Sequence, residues 1–207
     1  AKSQQTYNES NQTIETIEKS GKWYIDSLLN NSLGKPKKWI SDPDLTDQYS
    51  VNNSTVISYS FPKLDSSTAL YNYENDAGVI EAIPFNSSQA SDIRLAFKEV
   101  SKYINVTFIE IKEDGNKVGT IRLAMTTITD ENGNYLEGIA ATADSPSAKV
   151  RGGDVFFNKW FGAGNFSTGI VENSVTGEGD VTILYHEIFH ALGMEHPVDN
   201  KEILFQE

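Results

Sequence analysis

Three histidines in one short stretch constrain this chain more than any other feature. His186, His190 and His196 are the only histidines in 207 residues, and they fall within eleven consecutive positions. His186 and His190 are four residues apart, so on a helix they lie on the same side, one turn from each other. Glu187 places a carboxylate beside this pair. Zinc binds imidazole nitrogens at about 2 Å in a tetrahedral arrangement and needs one open position for catalysis. The spacing therefore predicts a zinc site.

The third histidine indicates how the chain must fold at this site. On a continuous helix, His196 would lie about 9 Å along the axis from His190, which is too far for two ligands of one ion. Gly193 lies between them. A residue without Cβ can adopt the left-handed conformation that ends a helix and turns the chain back. The pattern H-E-x-x-H-x-x-G-x-x-H therefore predicts two ligands on a helix, a turn, and a third ligand returned towards them.

Two other interpretations of the cluster stay open from the residues alone. The histidines could be ordinary surface or core residues of a helix, although the length of the motif favours zinc. A purely structural zinc site is disfavoured, because three histidines leave one coordination position open.

Composition argues against several classes of function. Seventeen basic and 29 acidic residues give a net charge of −12, which repels phosphate backbones and anionic lipid. We therefore expect neither nucleic-acid binding nor membrane association, and no apolar run approaches the length of a membrane span. There is no cysteine, so disulfide stabilisation is excluded. The length suits one large domain or two tight lobes.

The chain divides into three parts. Residues 1–20 are polar and predict a short helix or a loosely held arm, and residues 21–200 predict the folded domain. Residues 201–207 form a tail that resembles an engineered viral-protease cleavage site.

Hydrophobic periodicity predicts the elements within the domain. Strands are predicted at 56–61, 106–111, 120–125, 138–143 and 153–158. Helices are predicted over 24–29, from Ser87 or Ser88, and from Val181 with Asp180 as N-cap. Loops are predicted at 41–54, 62–86 and 159–180. Asn132 and Gly133 predict a tight turn. We favour this turn over a calcium loop at 130–134, because the glycine is misplaced and no glutamate closes the loop. The order of elements predicts an α/β (α+β) fold with a mixed sheet.

Several segments outside the histidine motif occur in the order typical of one family. They are 24–29 with the later Trp39, 57–61, the helix from Ser87 with Ala96 and Phe97, 153–158, and Pro197 directly after the third histidine. With these features the chain, from about residue 21 to 199, resembles the catalytic domain of the serralysins. These are secreted bacterial zinc endopeptidases of the metzincin group.

The resemblance implies both a fold and a mechanism. It implies a metzincin-like upper subdomain, in which a twisted, mixed five-stranded sheet carries a backing helix and an active-site helix. His186, His190 and His196 would bind Zn²⁺, which lowers the pKa of its bound water and polarises the scissile carbonyl. Glu187 would act as general base, taking the water proton and passing it to the leaving amine.

The resemblance also implies where the substrate lies. The strand near residues 138–143 would be the sheet edge along which an extended peptide binds, with Ile139, Ala140, Ala141 and Thr142 as its substrate-binding residues. An exposed edge offers unpaired backbone groups to a peptide, although plain sheet packing remains an alternative for these small residues. We expect a secreted, extracellular monomer that acts on protein or peptide substrates.

Two departures from the family pattern matter. Phe189 stands where serralysins usually have glycine, and we expect it to change packing behind the helix more than metal geometry. Family members also continue, after the third histidine, into a lower subdomain with a methionine turn and calcium-binding glycine-rich repeats. Ca²⁺ is therefore expected only in such a region. Two functions stay open. One is a zinc-dependent endopeptidase, and the other is an inactive or weakly active zinc-binding fragment that binds a partner or needs the lower subdomain, which this sequence does not include.

Overall fold

The computed structural model describes residues 2–3, 14–22, 26–29, 35–62, 82–113, 117–130, 132–147, 151–159 and 177–196. The strands are β1 (Lys2–Ser3), β2 (Ile14–Thr16), β3 (Lys37–Trp39), β4 (Thr55–Ser60), β5 (Val106–Glu110), β6 (Lys117–Val118), β7 (Ile121–Thr126), β8 (Ala141–Ala143) and β9 (Val155–Asn158). The helices are α1 (Pro43–Tyr49), α2 (Ser87–Val100) and α3 (Gly177–Ala191).

The central sheet has five strands in the order β5-β4-β7-β9-β8. The first four strands run parallel, and β8 pairs antiparallel with β9 at the end of the sheet. All residues of β7 and β9 are buried, as expected for parallel strands covered on both faces. The predicted mixed five-stranded sheet with helices is confirmed, and it places an antiparallel strand at one edge.

Helix α2 is the predicted backing helix. Its first turn carries a capping box, in which Asn86 and Gln89 exchange side-chain to backbone hydrogen bonds of 2.9 Å, and this fixes the start of the helix. Its apolar face is buried in the core, and the ring of Phe97 stacks on Tyr59 at 4.3 Å between centroids. The prediction of an amphipathic helix beginning at Ser87 is confirmed.

A buried charged pair lies on the other face of the sheet, because Arg122 alternates along β7 with the core residues Ile121 and Leu123. The guanidinium of Arg122 on β7 donates to both carboxylate oxygens of Glu113 at 2.7 Å, and both side chains are at most 3% exposed. Ser60 Oγ donates to the same carboxylate at 2.8 Å and accepts from the backbone N–H of Gly119 at 2.7 Å. These bonds tie the segment after β5 to the middle of the sheet.

The structure corrects three predicted boundaries. The predicted loop at 41–54 contains α1, because Asp42 caps the backbone N–H of Asp44 and Pro43 occupies the first helical position. The edge strand covers Ala141–Ala143 only, so residues 138–140 precede it. Helix α3 begins at Gly177, not at Val181, which rules out Asp180 as its N-cap.

Other predictions fall partly outside the described residues. The predicted helix at 24–29, the loops at 62–86 and 159–180, Pro197 and the tail at 201–207 are among them. In the arm, residues 14–16 form a strand antiparallel to β3, not a helix. The predicted tight turn is confirmed, since Gly133 has φ +81° and its N–H donates to Asp130 O at 3.0 Å. No helix of the described residues is long and apolar enough to cross a membrane.

Candidate metal centre and substrate edge

Helix α3 is anchored by one face and presents histidines on another. Leu184, Ile188 and Ala191 are buried in the core, and their spacing of four and three residues gives one apolar stripe. His186 is exposed and His190 is half-buried. Phe189 packs against the edge of the core. The sequence therefore holds the helix on the sheet while leaving two imidazoles free to bind.

A glycine turn ends the helix as the spacing predicts. Gly193 has φ +105°; its N–H donates to His190 O at 2.9 Å, and the N–H of Met194 donates to Phe189 O at 2.9 Å. This pair of bonds is the Schellman arrangement, which needs a left-handed residue. A Cβ on Gly193 would also lie 2.6 Å from the carbonyl oxygen of Lys37. The turn brings His196 back beside the helix.

The three imidazoles converge on one point. The Nε2 atom of His186 lies 2.9 Å from that of His190 and 2.9 Å from that of His196, and the remaining distance is 3.1 Å. Tetrahedral zinc bonds of about 2.05 Å would hold such nitrogens about 3.3 Å apart. The triangle is slightly smaller than this, and a small outward rotation of the rings would fit the ion. The residues present therefore fit zinc.

Hydrogen bonding and burial favour the metal-binding form of these imidazoles. His190 Nδ1 lies 2.6 Å from the carbonyl oxygen of Met194. Because a carbonyl only accepts, Nδ1 carries the proton and Nε2 keeps its lone pair. Burial and the neighbouring charges of His190 and His196 lower the pKa of His186. Neutral imidazole is the form that binds a metal.

Glu187 is a buried carboxyl beside the triad. It is 6% exposed, and no described residue donates a hydrogen bond to it. Burial raises its pKa to about 7. A carboxyl with a pKa near the working pH, next to a metal position, can accept a proton from water and return it.

Three contacts hold the end of the metal helix and the turn after it. The indole N–H of Trp39 donates to the carbonyl oxygen of Ala191 at 2.7 Å. Ser145, in the segment after β8, donates from Oγ to the carboxylate of Glu195 at 2.7 Å. The N–H of Glu195 donates to Leu28 O at 2.7 Å. The segment that carries the third histidine is thus held at its backbone and at its side chain.

The strand β8 packs beside α3 and ends the sheet. Asn158 N–H donates to Ala140 O at 2.8 Å, and Asp144 N–H donates to Asp154 O at 2.9 Å. In an antiparallel ladder the paired positions alternate, so Ala141 and Ala143 direct their backbone groups away from β9.

The predicted substrate residues lie at or next to this edge. Ile139 is 42% exposed, Thr142 is exposed, and Ala140 and Ala141 are half-buried against the core. Ile139 and Ala140 lie in the segment before the strand and not within it. Their packing agrees with either a substrate role or plain sheet packing, so the substrate role remains a prediction.

Sequence reasoning missed several residues that shape the site. Nothing in the sequence indicated that Trp39 bonds the metal helix, and Ser145 and Glu195 carried no expectation. Asn158 was predicted only as the last residue of a strand. Their partners are far along the chain; Ser145 and Glu195 are 50 residues apart. No local pattern reports such a contact.

Comparison with known proteins agrees with this geometry. A peptidase family model described as Matrixin matches residues 70–207, about two thirds of the chain. A serralysin from Proteus mirabilis is 28% identical over 193 residues, covering 88% of this chain and 37% of that protein. The chain thus spans little more than a third of the length of this relative.

Proposed function

We propose that this chain, which belongs to the matrixin family of peptidases, is a zinc-dependent endopeptidase with Glu187 as its general base. One observation carries the proposal. Three imidazole Nε2 atoms converge within 3.1 Å of one another, and the next residue along the helix from His186 is a buried carboxyl. This combination fits metal-assisted hydrolysis better than a structural metal site, because three ligands leave one position open.

The chain's own residues divide the chemistry among themselves. His186, His190 and His196 would hold Zn²⁺, which supplies a Lewis acid that polarises a carbonyl and acidifies water. The Glu187 carboxylate accepts the water proton at an Oε atom and delivers it to the departing amine nitrogen. In the metal-free protein, burial raises the pKa of this carboxyl to about 7, so the group can hold a proton near neutral pH.

The substrate would bind as an extra strand on β8. Ala141 and Ala143 direct N–H and C=O groups outwards, and a peptide in extended form pairs with such groups whatever its side chains. Ile139 and Thr142 are exposed at this edge and would contact substrate side chains, while Ala140 bonds β9. The edge therefore orients the peptide backbone relative to the metal.

The serralysin resemblance extends this proposal. A serralysin-like enzyme would act outside the bacterial cell on protein or peptide substrates, as a monomer. The 28% identity to the Proteus mirabilis serralysin supports a related catalytic domain.

The test combines metal analysis with cleavage. The purified chain should hold one zinc per molecule and cleave a mixed-sequence fluorogenic peptide set, and a chelator should abolish cleavage until zinc is restored. Glu187→Gln should keep the zinc and lose cleavage. Glu99→Gln, near the C-terminal end of α2, serves as the matched control. Zinc at one per chain without cleavage of any peptide would overturn the endopeptidase assignment and leave a zinc-binding fragment.

A further inference from the structure

Asn158 makes more contacts with the substrate edge than any strand pairing requires. It is the last residue of β9 and is 0% exposed. Its side-chain Nδ2 donates to Leu136 O at 3.0 Å and to Ile139 O at 2.9 Å. Its Oδ1 accepts from the hydroxyl of Tyr135 at 3.1 Å. With the backbone bond to Ala140 O, one residue makes four hydrogen bonds to the segment 135–140.

A carboxamide matches these partners, and a carboxylate of the same size does not. Nδ2 has two N–H groups and uses both on carbonyl oxygens, while Oδ1 uses a lone pair on a hydroxyl. A carboxylate in its place would set acceptors against the carbonyls of Leu136 and Ile139. A buried carbonyl that loses its donor costs free energy. The site is therefore built for an amide.

These bonds determine how the chain enters β8. The carbonyl of Ile139 is drawn to Asn158, so it points inwards and away from the free edge. Its N–H donates to Leu136 O at 3.3 Å, which closes a turn just before the strand. The first residue of the strand, Ala141, then directs its backbone groups outwards by alternation. The position of Ala141 along the edge thus depends on a side chain of the neighbouring strand.

We propose that Asn158 is a positioning residue for substrate: it fixes the start of the peptide-binding edge without touching the peptide or the metal. The inference rests on the proposed function, since it assumes that a peptide pairs with β8. Tyr135 supports this role because its hydroxyl donates to Oδ1 of Asn158. The ammonium of Lys159 lies 5.9 Å from the Tyr135 ring centroid.

Peptide length separates this role from a general loss of stability. A series of fluorogenic peptides that share one scissile bond and grow by single residues on each side should show kcat/KM rising as residues reach the edge. Asn158→Asp and Asn158→Ala should lower kcat/KM for the longest peptides about 30-fold, mostly through KM, and leave the shortest within about twofold, because each removes buried hydrogen bonds at the edge only. Tyr135→Phe removes one hydrogen bond and should lower kcat/KM for the longest peptides about threefold, with the shortest peptides again little affected. Zinc content should stay at one per chain.

Direct binding gives a second readout. In the Glu187→Gln background, which should bind without cleaving, a fluorescein-labelled long peptide should lose affinity by the same factors when Asn158 or Tyr135 is changed. Asn105→Asp and Tyr103→Phe are the matched controls, since both side chains are exposed and lie just after the C-terminal end of α2. Both controls should match the parent.

The outcomes distinguish the two claims. A wild-type chain that cleaves no peptide overturns the proposed function and the inference with it. Cleavage by the wild type with equal losses at all peptide lengths, or with no loss in the variants, overturns the inference alone. If both Asn158 variants fail to fold, Tyr135→Phe decides: a length-independent effect overturns the role of the edge contacts.

Discussion

Two glutamates are buried to nearly the same extent in this fold, and their surroundings differ completely. Glu113 is 4% exposed and Glu187 is 6% exposed. Glu113 accepts from the Arg122 guanidinium at both oxygens and from Ser60. Glu187 receives no hydrogen bond from the described residues, and burial raises its pKa to about 7.

The difference separates a structural carboxylate from a reactive one. The burial of a charge is compensated when a bidentate guanidinium and a hydroxyl bond to it. Removing either partner lowers the stability of the fold. A buried carboxyl without a hydrogen-bond partner is disfavoured in its ionised form, so it does not stabilise the fold at neutral pH. Such groups concentrate at functional sites. The fold places the first inside the sheet and the second beside three convergent imidazoles.

The largest effect should come from Glu187→Gln. Losing the general base should lower kcat/KM by at least about 1,000-fold, or about 4 kcal/mol of transition-state stabilisation. The amide is neutral and of equal size, so zinc content and folding should be retained. Fluorogenic peptide kinetics with zinc analysis measure both. Turnover within about tenfold of wild type would remove Glu187 from the mechanism.

Arg122→Met should affect the stability of the fold rather than catalysis. It leaves the Glu113 charge buried and unpaired, so the free energy of unfolding should fall by about 3–5 kcal/mol, measured by urea denaturation. Arg94→Met is the matched control. Arg94 also forms a bidentate pair, with Glu110, but its side chain is 47% exposed, so we expect at most about 1 kcal/mol. Equal losses in the two variants would contradict the role assigned to burial.

The pH dependence of stability should reveal Glu187 in the metal-free protein. Its folded pKa of about 7 lies above the ordinary value of 4.5, so the folded state binds the proton more tightly. This contribution to stability is complete below about pH 4.5 and is lost as pH rises through about 7. Relative to Glu187→Gln, the wild type should lose about 3 kcal/mol between about pH 4.5 and 8.

Urea denaturation of both proteins across that range tests this prediction. A difference that stays constant with pH would show that the Glu187 carboxyl is not held in its protonated form by burial.

The smallest effect should come from Ser145→Ala. It removes the hydroxyl that holds Glu195, next to the third histidine, and should weaken zinc binding about fivefold, or about 1 kcal/mol. Competition with a chromophoric chelator measures the affinity. Ser101→Ala, whose hydroxyl bonds Phe97 O at 2.9 Å, is the control. Unchanged zinc affinity in Ser145→Ala would mean that backbone contacts alone position His196.

Local patterns explain what could be predicted from the sequence. The spacing of the histidines and Gly193 predicted the converging ligands, because helix periodicity and a left-handed turn are properties of short segments. The sheet followed from apolar runs, and the apolar spacing after Ser87 marked α2. Helix α1 was wrongly predicted as a loop, since Asp42 and Pro43 are residues that favour both loops and helix starts.

The rest depends on contacts between distant parts of the chain. The edge strand was predicted too long because Gly138, Ile139 and Ala140 carry no charge or proline that would mark the start of the strand. The amide of Asn158 and the backbone bond from Ile139 N–H to Leu136 O hold that segment in a turn, and no local pattern near residue 158 indicates this. Similarly, Ser145 and Glu195 meet because the sheet edge and the metal turn are adjacent in space.

The open edge also has a consequence for the protein in concentrated solution. A strand that can pair with a substrate peptide can equally pair with a strand of a second copy. Such edge-to-edge pairing is a common start of aggregation in sheet proteins. Here the exposed strand is three residues long, which limits the number of intermolecular bonds. A net charge of −12 adds repulsion between copies, which added salt would screen. Solubility should therefore fall as ionic strength rises.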